Sequence, residues 1–284
     1  MTTNNLTTSI NDGARLFWLG AILAAFWIGM NLIFPQLAPT GIPTIITRII
    51  IHGVILTGLW LGLSRTAFSY RKRVTLWVAI VIPFTLWLIF VFGLATHGVF
   101  EAVPGAALAP PWLPLAIFLP AIAGLVLFAR SRHIAALLDV MPASWLIGLQ
   151  LYRILGGIFL VSWLHGTSPW VFALPAGTGD VTVGILALPV AAMVASGTEA
   201  GRKAGIRWNI LGLIDFTIAT AMGMMTSPGG PLQHVAGGPN LQLGAFPTVM
   251  TPAFAVPSSI ILHGLSIWQL KRRAKRAELS YSGM

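Results

Sequence analysis

Fifteen of the seventeen Lys and Arg residues in this chain lie in alternate gaps between eight apolar runs. The runs cover roughly residues 16–34, 43–63, 74–97, 112–129, 144–164, 171–195, 206–226 and 247–270. Each is close to the ~20 residues that a helix needs to cross a bilayer. Arg15 precedes the first run. Arg65, Arg71, Lys72 and Arg73 separate the second from the third, Arg130 and Arg132 the fourth from the fifth, and Arg202, Lys203 and Arg207 the sixth from the seventh. Lys271, Arg272, Arg273, Lys275 and Arg276 follow the eighth. The other gaps hold no basic residue, and a miscounted run would mix the two sets. With basic residues on the cytoplasmic side, both termini are expected in the cytoplasm.

Composition supports the same class. The chain is 56% apolar and only 8% charged, against about 25% charged in soluble domains. Long apolar runs make spanning helices, whereas barrel strands would alternate over about 10 residues. The expected fold is therefore an all-α, polytopic integral membrane protein of eight transmembrane helices. Residues 1–15 are expected as a cytoplasmic tail, 16–270 as the membrane domain and 271–284 as a basic cytoplasmic tail. The opening MTTNNLTTSINDGAR lacks a basic region before its apolar run, so it is read as a retained tail, not a cleaved signal. The net charge of +10 then reflects topology and contact with anionic membrane lipid; no nucleic acid is expected. The absence of cysteine removes disulfides, thiolate metal sites and Cys nucleophiles.

Four charges remain inside the runs: Arg48, Arg153, Asp180 and Asp215. At 1.5 Å per residue, Arg153, Asp180 and Asp215 each lie about 13 Å deep in a core about 30 Å thick. A charge there costs at least ~2.5–3.5 kcal/mol, so the three are expected to face one another, Arg153 pairing with one or both carboxylates. Gln150, one turn before Arg153, shares its face and extends the set. Arg48, nearer the outer end of its run, is placed to reach the interface by snorkelling. Asn209 is about 600° around from Asp215 at 100° per residue and is expected to face elsewhere.

The sixth run carries FALPAGTGD before its carboxylate. Pro175 removes one backbone donor, and Gly177 and Gly179 weaken a helix. Transporters build midplane sites from such interrupted helices, so Gly177 and Gly179 join Arg153, Asp180, Asp215 and Gln150 as candidates for binding a solute or ion. A kink, or close packing by small residues, is the alternative.

The histidines give weaker signals. His97, Glu101, His165 and His234 all fall on the outer side and are candidate metal ligands. His52 and His263 are candidate haem ligands, although their depths differ by about 10 Å. No cofactor is named by the sequence. There is no GxSxG, P-loop or HExxH, and no Lys lies within a run, so no catalytic residue is assigned and the reading leans away from an enzyme. The Gly- and Pro-rich outer gaps at 98–111 and 227–246 suit a lid, a partner contact or a packed cap. Trp18, Trp112, Trp145, Trp170 and Trp268 fall near run ends, as an aromatic belt requires.

Three stretches, QLYRILGGIFL (150–160), FALPAGTGD (172–180) and WNILGLIDF (208–216), resemble an uncharacterised family of bacterial polytopic membrane proteins. The resemblance covers about the C-terminal half and implies a bacterial inner-membrane setting without implying an activity.

The leading expectation is an inner-membrane protein whose buried polar midplane site moves or senses a small solute or proton. The second is a haem- or metal-binding membrane redox protein. The third is a non-catalytic subunit held by partner subunits in a larger membrane complex.

Overall fold

The structure is a computed structural model that describes residues 3–102, 111–235 and 237–282. Its helices are α1 (Thr3–Ile33), α2 (Ile42–Ser64), α3 (Tyr70–Thr96), α4 (Trp112–Arg130), α5 (Arg132–Val140), α6 (Ala143–Gly148), α7 (Ile158–Leu164), α8 (Trp170–Ala195), α9 (Glu199–Thr226) and α10 (Val256–Ser282). The described residues contain no strand. Among the described residues, eight helical stretches are long and apolar enough to cross a membrane: seven of them lie along α1, α2, α3, α4, α8, α9 and α10, and one joins α6 to α7. All eight expected runs are present, with ends shifted by a few residues.

Some boundaries differ for physical reasons. Helix α1 begins at Thr3, within the stretch expected as a tail; that stretch contains no Pro to stop it. The basic C-terminal segment continues α10 rather than forming a separate tail. Between the fourth and fifth spans the short amphipathic α5 buries Ile134, Leu137 and Leu138. Ser131 caps it by accepting from the Ile134 amide at 3.3 Å. Gln269 of α10 donates to the Leu138 and Met141 carbonyls at 2.6 Å each, and Arg272 pairs with Asp139 at 2.8 Å.

The solvent pattern is inverted relative to a soluble protein. Trp18, Ile22 and Phe26 on α1, Ile49 and Ile50 on α2, and Leu119, Ile122 and Leu127 on α4 are exposed. Gln150, Arg153, Asn209, His263, Ser266 and Gln269 are buried. Such a surface suits lipid, and each of these buried side chains makes at least one hydrogen bond inside. Helix α8 is central, packing on α1, α6, α7 and α9. One apolar cluster (Ile147, Val183, Ala187, Trp208 and Leu270 among it) joins α6, α8, α9 and α10. Another joins α3, α4 and the start of the last span through Val91, Ala116, Val249 and Phe254.

The irregular backbone is not where the sequence places it. Helix α8 runs unbroken through Pro175, Gly177 and Gly179. Instead, Leu149–Gly157 winds as a 3-10 helix between α6 and α7, and Thr251–Ala255 forms one π-helical turn before α10. Of the outer gaps, residues 103–110 lie outside the described residues. The 227–246 gap, apart from residue 236, folds back on the helix ends: the Asn240 amide donates to the Thr226 carbonyl at 2.8 Å, and Leu243 packs with Phe159 and Phe172.

Candidate functional site

A 3-10 helix has 3.0 residues per turn, so side chains three apart stand in line. Residues Gln150, Arg153 and Gly156 are buried along one side of Leu149–Gly157. Arg153 and Gly156 face α8, and the two backbones approach closely because small residues meet there. A Cβ on Gly156 would run into the Asp180 side chain, and one on Gly184 into the Ile154 amide. Gly179 likewise leaves the space that the Asp215 carboxylate occupies, while Gly177 accommodates Leu160. The glycines before Asp180 thus serve close packing and do not open the helix.

Arg153 sits at the crossing of these elements, with its side chain only 1% exposed. Its Nε donates to Asp180 Oδ1 at 2.8 Å, and its Nη2 reaches the same oxygen at 2.7 Å. Nη2 also pairs with Asp215 Oδ2. Nη1 donates to the Gly212 carbonyl at 3.3 Å and lies 3.2 Å from His263 Nε2. The guanidinium carbon stands 3.8 Å from the centre of the Phe216 ring. All three guanidinium nitrogens are therefore engaged, and the expected pairing involves both carboxylates.

His263 extends this network, and its tautomer follows from its partners. Arginine has no acceptor, so Nε2 must accept from Arg153. The ring proton is then on Nδ1, which donates to Asn209 Oδ1 at 2.9 Å. Asn209 in turn donates from Nδ2 to the Gly205 carbonyl at 2.7 Å and to Ser266 Oγ at 3.0 Å. Each donor meets an acceptor, which fixes the amide orientation as well. Gly212 makes room for the imidazole, since a Cβ there would strike it. The expectation that Asn209 faces away is thus corrected: it joins the site through a ring supplied by another helix.

On the other side of Arg153, Tyr152 and Ser259 share a hydrogen bond, and Gln150 Nε2 donates to the Ser259 carbonyl at 3.2 Å. Gln150 shares the face of Arg153 as expected, but it contacts α10 rather than the ion pair. Arg48 does not snorkel. It is buried and donates from Nη2 to Thr251 Oγ1 at 2.7 Å, at the π-helical turn. Arg48, Tyr152, Arg153, Gly156, Asp180, Phe216, Thr251 and Ser259 border a cavity of about 20 Å³.

The outer candidates are not gathered in this way. His97 Nδ1 bonds to the Gly93 carbonyl at 2.8 Å, and His97, Glu101, His165 and His234 are all exposed. Among the described residues, no group of three or more His, Asp or Glu side chains could hold a metal ion. His97 and Glu101 follow α3, His165 follows α7 and His234 lies in the 227–246 segment. His263 spends both ring nitrogens within the network, so neither is left for a haem iron. His52 lies 2.9 Å from Thr85 Oγ1 through Nε2 and stacks on Phe84.

Tyr152, Ser259, Thr251 and Phe216 were not singled out by sequence reasoning. One signal was available: polar residues at 251, 259, 263 and 266 recur at helical spacing along an apolar run.

Residues 110–271 match the family model described as a domain of unknown function (DUF8737). The match includes Arg153, Asp180, Asp215 and His263, and it excludes Arg48. No curated protein and no solved structure matches the chain.

Proposed function

The chain belongs to the DUF8737 family, and on that premise we propose that it is a multi-pass protein of the bacterial inner membrane that moves or senses a small solute or proton at Arg153, Asp180 and Asp215. The resemblance noted above supports a bacterial setting. The basic segments support cytoplasmic placement of both termini. One observation carries the reading: a buried guanidinium is shared by two carboxylates from two helices, beside a small cavity and two irregular backbone turns.

Asp180 and Asp215 are the groups that change protonation. Both lean on one cation, so a proton on either still leaves Arg153 an anionic partner. Arg153 keeps the remaining charge from standing alone in apolar surroundings. The 3-10 and π turns are elements of the kind that shift between helical registers at functional sites. A proton or solute exchanged at the carboxylates would bias them. Hydrogen-bonded side chains run from Arg153 to His263, Asn209 and Ser266 on one side, and the Arg48–Thr251 pair stands across the cavity on the other.

The test is proton flux into liposomes containing the purified chain and an internal pH dye, driven by a potassium diffusion potential. Asp180→Asn and Asp215→Asn are expected to abolish flux with membrane yield unchanged. Loss of yield in both variants, with wild-type liposomes no leakier than empty ones, would make the ion pair structural and end this reading.

A further inference from the structure

We propose that the cavity beside Arg153 binds a small monovalent anion, of halide size, between the Arg48 and Arg153 side chains, and that it does so together with a proton. The proposal deepens the proton-exchange reading above and rests on it. The cavity volume is about 20 Å³. A single water needs about 10–15 Å³ measured this way, so the space fits one body of about that size. The residues that wall the cavity include Arg48, Arg153, Tyr152, Ser259, Thr251 and one carboxylate, Asp180, among apolar neighbours such as Phe216 and Val256.

The charges in that wall are unequally matched. Arg153 is satisfied by Asp180 and Asp215. Arg48 is only 7% exposed. Among the described residues no carboxylate lies within ion-pair distance of it, and its Nη2 hydrogen bond goes to the neutral Thr251. Its Nε is buried without any hydrogen-bond acceptor. A buried cation with no carboxylate in contact and an unmet Nε donor is a poor arrangement in apolar surroundings, and an anion alongside it would complete the coordination.

Electroneutrality then couples the anion to a proton. Arg48 and Arg153 balance Asp180 and Asp215, so an added anion leaves a net negative charge unless one carboxylate takes a proton. Asp180 is placed to do so because it borders the cavity and would otherwise repel the anion. The titratable and charged groups around the site are Arg48 and His52 on α2, Tyr152 and Arg153 on the 3-10 helix, Asp180 on α8, Asp215 on α9 and His263 on α10. His263 accepts from Arg153 and so presents no added charge.

The experiment follows the thermal midpoint of the purified full-length protein in detergent while chloride or bromide replaces gluconate at constant ionic strength. A saturable rise is expected, larger at acidic than at alkaline pH. Arg48→Gln should weaken the apparent affinity about tenfold or more, the loss of a charge-assisted contact. Asp180→Asn, which mimics the protonated carboxyl, should retain the response and lose its pH dependence. Should R48Q fail to reach the membrane, Thr251→Val supplies the same test by removing the hydroxyl that positions Arg48. Equal midpoints in chloride and gluconate, or an unchanged response in R48Q and T251V, would overturn the proposal and leave the cavity to water. Halide binding without proton flux in liposomes would uphold the anion site while refuting transport. Flux that ignores halide would do the reverse.

Discussion

Two neighbouring stretches of this protein reverse what their compositions suggest. FALPAGTGD contains a proline and two glycines, yet it lies within the unbroken helix α8. LQLYRILGG carries no proline, yet it winds as a 3-10 helix. The two stretches touch, and each explains the other. Pro175 lies near the start of α8 and removes only one donor. Gly177 and Gly179 are tolerated because Leu160 and Asp215 fill the space a Cβ would take. The 3-10 winding aligns Gln150, Arg153 and Gly156, so that Arg153 meets Asp180 while Gly156 lets it approach. Glycine in an apolar helix thus records what presses against it, and the 3-10 turn is favoured by the tertiary contacts it makes possible.

That contrast can be broken at several points, beginning with the largest effect. Arg153→Leu strands two buried carboxylates and should cost about 3–5 kcal/mol, seen as collapse of folded yield and of the thermal midpoint in detergent. Next is a paired comparison within α8. Gly179→Val pushes methyl groups into Asp215 and should cost about 1–3 kcal/mol, whereas Pro175→Ala should cost less than about 1 kcal/mol. The opposite ranking would restore Pro175 as the organising feature. Asn209→Leu removes the acceptor of His263 Nδ1, leaving a buried donor unmet at about 1–3 kcal/mol. It should also shift the imidazole nitrogen resonances, which report the tautomer directly. The smallest effect belongs to Asp139→Asn at the edge of the bundle. Its partners Arg272 and Arg276 are partly exposed, so the loss should be about 1 kcal/mol or less and should shrink with added salt.

How much of this is legible in the sequence depends on the range of the physics involved. The eight long apolar helices are legible because each depends on its own apolar length. The Arg153 pairing is legible because a charge in apolar surroundings must find its opposite, and only two carboxylates were available. Arg48 misled because its closeness to a run end says nothing about which way α2 faces. Asn209 misled because its angle to Asp215 on one helix is irrelevant when His263 on α10 joins them. The 3-10 turn at Leu149–Gly157 has no local cause to be read, since its determinants lie in α8. Helix α5 follows an interfacial pattern, with Ile134, Leu137 and Leu138 on one face, which was open to reading between Arg132 and Asp139.

The most direct measurement is infrared difference spectroscopy of the membrane-embedded protein across a pH step. Protonatable carboxylates at Asp180 and Asp215 should produce a protonated-carboxyl stretch as the pH falls, shifted by deuterium and lost in part from Asp180→Asn and from Asp215→Asn. A spectrum without that band, or one that neither substitution alters, would mean that the two carboxylates hold fixed charges around Arg153 and serve only to join the helices.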